Sequence, residues 1–188
     1  LTELQDAAIL PWENNPLEPD PAALASVKNY SRRVLSVDWG GGGEAGISLT
    51  TLAVLGYLPN GHIDCIWAKR LSTPHDHLGE AEECLHWYQK FSCDYLAHDY
   101  TGAGILRETF MVQTGLSLSK ILPIAYVRAA TKAPMYHVPK TVLHPRDHYR
   151  VDKTRTLLYT TMFIKMKSLR FFKWDRKSAE QPGLISDF

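Results

Sequence analysis

Residues 33–43 read RVLSVDWGGGG, and this stretch decides the fold. The apolar run before Asp38 predicts a short buried strand. The glycines after it predict a loop, because glycine reaches backbone conformations that other residues avoid. Residues 93–104 read CDYLAHDYTGAG and have the same arrangement, with Asp99 at the end of an apolar run and a glycine-containing turn behind it. The sequence therefore predicts two buried strands that each end in an aspartate.

The segments around these strands predict a mixed sheet. Residues 47–57 and 62–71 read as strands, and the Pro59-Asn60-Gly61 turn between them predicts a hairpin. We further expect helices near 78–91, 105–114 and 153–167, strands at 121–127 and 169–172, and a loop or irregular hairpin at 133–150. In the last helix the side chains available for packing are Leu157, Leu158, Thr161, Ile164 and Met166. A three-strand meander followed by alternating helices and strands predicts an α/β fold.

The composition is that of one folded domain. The chain has 188 residues, 45% of them hydrophobic and 22% charged, which excludes a disordered chain or a coiled coil and predicts a soluble domain. No apolar run approaches the roughly 18 residues of a membrane span, and no signal pattern is present. The three cysteines lack metal-site spacing and predict reduced thiols. Proline-rich residues 1–30 are predicted to be a linker or arm, and residues 31–188 the domain.

The two aspartates predict a metal site. If the first and fourth strands are neighbours in the sheet, Asp38 and Asp99 share one edge, and two carboxylates so close must share a proton or hold a cation. Carboxylate oxygens suit Mg²⁺ or Mn²⁺. Two such ions activate water and stabilise the leaving oxygen in phosphodiester hydrolysis. The pair therefore favours a metal-dependent nuclease over a pair of simple turn residues.

Three stretches together resemble the nuclease domain of the terminase large subunit of tailed bacteriophages. They are residues 34–42, residues 98–104 and the segment YRVDKTR at 149–155, in this order and strand context. The resemblance implies a ribonuclease H-like fold, an antiparallel meander plus parallel strands flanked by helices. It also implies that Asp38 and Asp99 are catalytic metal ligands in an endonuclease that cuts concatemeric double-stranded DNA. The implied partners are an ATPase motor domain of the same polypeptide, the portal and the small terminase, in the host cell cytoplasm.

Two features of the family lack a counterpart in this sequence. The family has a third acidic ligand late in the domain, where the aspartates of this chain are Asp175 and Asp187. We expect the third ligand beyond Phe188, with Asp187 as a weak substitute. The motor's G-x-x-x-x-G-K-[ST] loop is also absent from the sequence, so this chain is interpreted as the nuclease half.

The charge is unevenly distributed along the chain. Residues 1–119 carry 7 basic and 15 acidic residues, whereas residues 120–188 carry 14 and 5. This asymmetry favours a polyanion-binding surface in the last third. Lys153 and Arg155, at the predicted start of a helix, are the preferred DNA contacts. The wider basic set is Lys132, Lys140, Arg146, Arg150, Lys153, Arg155, Lys165, Lys167, Arg170 and Lys173.

Other interpretations stay open. Glu80 and Glu83 are predicted to be first-turn partners of a helix dipole rather than metal ligands, and the histidines at 75, 77, 144 and 148 are predicted to lie on the surface. Sugar kinases share the fold, but they need hydroxyl side chains in the first loop. A resolvase- or transposase-type nuclease would prefer branched DNA. A non-catalytic DNA- or portal-docking module would use the basic third alone.

Overall fold

The computed structural model describes residues 2–40, 42–43, 46–47, 49–71, 76–102, 104–128, 133–143 and 145–174. Within them the helices are α1 Thr2–Asp6, α2 Pro21–Ser26, α3 His77–Lys90, α4 Gly104–Gln113 and α5 Lys153–Lys165. The strands are β1 Arg32–Asp38, β2 Gly42–Gly43, β3 Gly46–Ile47, β4 Thr51–Tyr57, β5 Ile63–Arg70, β6 Tyr95–Asp99, β7 Ile121–Val127, β8 Met135–Val138, β9 His148–Asp152 and β10 Leu169–Phe171. No helix of the described ranges is both long and apolar enough to cross a bilayer.

Eight strands form one mixed sheet in the order β10-β5-β4-β1-β6-β7-β9-β8. Strands β1, β4 and β5 pair antiparallel as the predicted meander. Strands β1, β6, β7 and β9 pair parallel, so their carboxyl ends lie at one edge of the sheet. The predicted mixed α/β architecture is confirmed.

Helices α3 and α4 cover one face of the sheet. Because side chains alternate along a strand, this face receives Leu35 and Val37 of β1, which are buried. On β5 and α3, Trp67 and Trp87 stack with ring centroids 4.2 Å apart. Burial of such apolar side chains supplies the main driving force for folding. We call this side the helix face, and the side that carries Asp38 the aspartate face.

The N-terminal segment packs on the domain rather than standing apart from it. Leu4, Ala7, Leu10 and Trp12 are buried, and Trp12 Nε1 donates to the carbonyl of Ile66 at 2.9 Å. Backbone hydrogen bonds join residues 7–14 to residues 171–173 beside β10. Whether the segment is also a linker between domains stays a prediction.

Two regions add detail to the sequence predictions or depart from them. Of the loop or irregular hairpin predicted for the proline- and histidine-rich stretch, the structure shows the hairpin, β8 and β9, and β9 extends the parallel part of the sheet. The packing expected for α5 was wrong for Leu157, Leu158 and Met166, which are 65%, 66% and 64% exposed. Ile164 of the same helix does pack against the core.

Candidate metal centre

Asp38 and Asp99 are side by side at the carboxyl edge of the sheet. The parallel register pairs Val37 with His98, so the next residue on each strand is an aspartate. Neighbouring strands are about 4.8 Å apart, which puts the two carboxylates within reach of a shared cation. Asp38 is exposed and Asp99 is half-buried. The juxtaposition predicted from the sequence is thus present, while metal binding by the pair stays a prediction.

Tyr126, near the end of β7, lies on the same face as the two aspartates. The pKa of its phenol is raised by burial first, and then by the negative charges of Asp99 and Asp38. Because Ile124 is the register partner of Asp99 and side chains alternate along a strand, Tyr126 leaves the sheet on the same face as Asp99. No pattern in the sequence selects Tyr126, because the residue is one aromatic within an apolar strand.

The turn after Asp99 holds that carboxylate in place. Thr101 donates to Asp99 Oδ1 from its backbone nitrogen at 2.8 Å and from its hydroxyl at 2.7 Å. Gly102 has a φ of +55°, which favours glycine. A Cβ at Gly104 would lie 1.9 Å from the carbonyl oxygen of Asp99, so α4 can begin this close to β6 only with glycine there. Glycine is therefore favoured at position 102 by the backbone conformation and at position 104 by the lack of space for a side chain.

The loop after Asp38 is tied to the strand of Asp99. Trp39 Nε1 donates to His98 Nδ1 at 3.1 Å. Because a carboxylate only accepts, His98 Nε2 donates to Glu108 Oε2 at 3.1 Å. The residue after one aspartate thus bonds to the residue before the other, and this bond limits how far the two carboxylates can separate.

A buried charged network supports this loop from the helix face. Arg107, 4% exposed, donates to Glu80 Oε2 at 3.0 Å and to the carbonyl of Gly40 at 3.0 Å. Thr50 bonds to Glu80 and accepts from the nitrogen of Gly40 at 3.0 Å. The Arg107 guanidinium also lies 5.0 Å from the ring centroid of Trp39. Glu80 lies in the first turn of α3, as predicted, and is in addition an ion-pair partner of Arg107.

Glu108 anchors a second part of this network. It forms an ion pair with Arg146, whose Nη2 also donates to the carbonyl of Ile121 at 2.8 Å. Burial raises the pKa of Glu108, but hydrogen bonds from His98 and Arg146 outweigh burial and hold that pKa below its usual value. Glu108 is thus an ionised carboxylate within the protein interior, matched by cationic and neutral donors.

The described residues hold no third acidic ligand beside the pair. Within the ranges resolved by the structure, no group of three or more His, Cys, Asp or Glu side chains is arranged to hold a metal ion. Asp175 and Asp187 lie outside the described residues, as do His75 and His144. Glu83 of α3 pairs with Lys69 at 2.8 Å. His148 is 1% exposed, so the prediction of a surface histidine was wrong there.

The predicted DNA contacts lie at the same edge of the sheet. Asp152 ends β9, and its side chain accepts a hydrogen bond from the backbone nitrogen of Arg155, which caps α5. Lys153 is exposed and Arg155 is half-buried. Since β9 is two strands from β6, these residues start roughly 10 Å of sheet width away from Asp99. DNA binding by them stays a prediction.

Similar folds occur in two viral nucleases. The human cytomegalovirus terminase nuclease domain, soaked with Mn and bound to an inhibitor, has a TM-score of 0.55 and 13% identity, over 93% of this chain and 76% of that chain. The large terminase nuclease from the thermophilic phage G20c has a TM-score of 0.52 and 13% identity, over 94% and 75%. Comparison with protein-family models and with curated proteins gives no match. The ribonuclease H-like fold implied by the sequence resemblance is confirmed.

Proposed function

We propose that this chain is a metal-dependent endonuclease domain of a viral DNA-packaging terminase large subunit, which cuts concatemeric double-stranded DNA by two-metal hydrolysis. The observation that carries the proposal is the position of Asp38 and Asp99, next to each other at the ends of two parallel strands. The shared fold with two terminase nucleases supports the choice of this nuclease class. One of those relatives was soaked with Mn, which supports the choice of cation.

The two carboxylates fit Mg²⁺ or Mn²⁺. Both ions prefer hard oxygen donors, and the aspartate face offers two that are open to solvent in whole or in part. When bound, the ions would lower the pKa of the attacking water and neutralise charge on the scissile phosphate. The resemblance still implies a third acidic ligand, which we place beyond Phe188.

The chain's own residues orient this site. Thr101 fixes Oδ1 of Asp99 through two hydrogen bonds. The Trp39 to His98 hydrogen bond sets the distance between the two loops. A preorganised arrangement of charges avoids reorganisation during the reaction, which is the largest source of catalysis in many enzymes.

Lys153 and Arg155 are proposed to hold the DNA backbone beside the carboxylates. Contacts to phosphate position the duplex but carry no sequence information. The remaining partners follow from the resemblance alone: an ATPase motor in the same polypeptide, the portal and the small terminase, acting in the host cell cytoplasm.

The test compares the wild-type chain with Asp38→Asn on supercoiled plasmid, in Mn²⁺, in Mg²⁺ and in EDTA. We expect nicking and linearisation by the wild type with either metal, no cutting in EDTA, and none by the variant. Asp20→Asn is the matched control, because it removes the same charge at the cap of α2, where Asn caps equally well. Cutting by Asp38→Asn at the wild-type rate would refute the site.

A second readout separates a missing ligand from a wrong site. Mn²⁺ binding is measured by calorimetry for the wild type, Asp38→Asn and Asp99→Asn. Binding by the wild type alone, without cutting, supports the pair and points to the third ligand beyond Phe188. Absence of Mn²⁺ binding, together with metal-independent DNA binding, would favour a docking module. A strong preference for branched DNA would favour a resolvase-type nuclease.

A further inference from the structure

A separate pocket opens next to the candidate metal centre, on the helix face. It has a volume of about 270 Å³ and lies between the turn after β6, the start of α4 and the ends of β7 and β9. Ile105, Ala125 and Val127 form apolar walls, and Tyr100, His148 and Arg150 complete the lining used here. The function proposed above makes no use of this pocket.

The pocket is close to Asp99 but distinct from it. Register pairs Asp99 with Ile124 and Ile124 with Tyr149, and Arg150 is the next residue of β9. Two strand spacings give a backbone separation of roughly 10 Å between Asp99 and this part of β9. Thr101, which bonds to Asp99, also lines the pocket. A ligand in the pocket would therefore lie roughly 10 Å from Asp99, on the other side of the turn that follows β6.

Two hydrogen-bond donors of the pocket have no protein partner within the described part of the chain. Tyr100 is 3% exposed, and no described group accepts from its hydroxyl. The half-buried guanidinium of Arg150 forms no ion pair or side-chain hydrogen bond with a described residue. By contrast, the nearby arginines Arg107 and Arg146 each pair with a glutamate. Neither donor is a buried orphan, so both reach solvent and are open to a ligand that accepts hydrogen bonds from them.

The shape and walls of the pocket indicate what that ligand is. The rings of Tyr100 and His148 lie 5.5 Å apart with an interplanar angle of 30°. Aromatic and aliphatic walls favour a flat, largely apolar ring, whereas an unpaired guanidinium favours an anion such as phosphate. A volume just below the usual range of drug-sized pockets suits a single small unit. A nucleobase with its sugar and one phosphate has a flat ring, an anionic group and a small size, as the pocket requires.

We propose that this pocket binds one nucleoside monophosphate unit, with its phosphate on Arg150 and its base and sugar against Tyr100, His148 and Ala125. The unit is either a nucleotide of the bound strand, in which case the inference rests on the proposed nuclease function, or a free nucleotide. Both sources share the same chemistry. The experiment below separates them.

The first arm measures dTMP and inorganic phosphate binding to the full chain by calorimetry in EDTA, so that the metal centre plays no part. We expect dTMP to bind more tightly than phosphate. Arg150→Ala should weaken dTMP binding at least tenfold, and Tyr100→Phe, which keeps the ring, should weaken it several-fold. Arg32→Ala is the matched control, because Arg32 is an exposed arginine at the opposite end of β1. Equal affinities of dTMP and phosphate, no dTMP binding, or unchanged binding by Arg150→Ala would overturn the proposal.

The second arm asks whether the unit belongs to a strand. Oligonucleotides with a single 2-aminopurine report, by fluorescence, a base that leaves its stack for the pocket. Ala125→Met, which fills the pocket, should abolish the signal and also dTMP binding, with Arg150→Ala as a second variant if Ala125→Met fails to fold. A signal removed by these variants supports the strand source, and dTMP binding without a signal supports the free nucleotide. Because neither arm needs cleavage, failure of the nuclease proposal leaves both results interpretable.

Discussion

The two faces of the sheet treat their carboxylates in opposite ways. On the helix face, Glu80 and Glu108 are 2% and 7% exposed, and each pairs with an arginine. On the aspartate face, Asp38 is exposed and Asp99 is half-buried, with Thr101 as a neutral donor. A buried carboxylate must be neutralised by the protein, because desolvation of an unpaired charge costs several kcal/mol. A carboxylate in contact with water is solvated, so it does not need a buried cationic partner from the protein. The contrast separates acids that stabilise the fold from the two acids that we propose as metal ligands.

The largest effect on stability is expected from breaking the pair on the helix face. Arg107→Met would leave Glu80 buried without its cation, and we expect a loss of about 3–5 kcal/mol in the free energy of unfolding. Urea unfolding at pH 7 measures it. Arg33→Met is the control, because its pair with Asp94 is partly exposed and should matter far less. A loss below about 1 kcal/mol for Arg107→Met would mean that the two faces do not differ as described.

The second prediction concerns Glu108 and pH. Glu108→Gln should cost about 1.5–3 kcal/mol at pH 7, the usual value for hydrogen bonds to a charged group. Since the folded pKa of Glu108 is lower than its ordinary 4.5, its ionised form stabilises the fold above that pH. This contribution is lost as the pH falls through the folded pKa. Urea unfolding from pH 7 down to pH 3 should therefore show the two proteins converging below about pH 4.5, and a constant difference would contradict this assignment.

On the aspartate face, we expect a substitution to change metal affinity strongly and stability little. Asp99→Asn keeps an oxygen for Thr101, so stability should change by no more than about 0.5 kcal/mol. Mn²⁺ affinity should fall at least tenfold, about 1.4 kcal/mol. Calorimetry with Mn²⁺ and urea unfolding on the same preparation check both values. A variant that unfolds easily but still binds Mn²⁺ would reverse the roles given to the two faces.

The smallest effect is expected at the bond that links the faces. Trp39→Phe removes the donor to His98 and should cost about 1 kcal/mol of stability. It should also weaken Mn²⁺ binding, because the loop after Asp38 loses its tie to β6. Trp12→Phe is the matched control, since it removes a similar bond to Ile66 far from the edge. If both variants bind Mn²⁺ equally, the Trp39 bond is structural only.

Much of the sheet could be predicted from local patterns. The Asn60-Gly61 turn, with Gly61 at a φ of +88°, joins two strands as its chemistry requires. The two aspartates could be selected from the sequence because each follows a short apolar run and precedes glycines. One of those glycines, Gly104, has no room for a Cβ beside the carbonyl oxygen of Asp99. These signals are local, so one sequence suffices to detect them.

The charged network could not be predicted, because it depends on tertiary contacts. Helix α4 buries Gly104, Arg107, Glu108 and Met111. Its apolar residues Ile105, Leu106 and Val112 are 41%, 51% and 41% exposed. Hydrophobic patterning would choose the wrong face of this helix, since a buried arginine is tolerated only where a distant residue supplies the acid. Glu80, which is 27 positions away, could not be paired with Arg107 from sequence alone.

Strand β10 is the last strand on its side of the sheet, and residues 7–14 occupy its outer edge through backbone hydrogen bonds. An open edge recruits strands from other molecules, so a chain that began at residue 31 would expose one and should aggregate. The contact also joins residues about 160 positions apart, and closing such a long loop is entropically expensive. Residues 7–14 can therefore take their place on the sheet only after residues 171–173 have been synthesised, and until then this edge of the sheet stays uncovered.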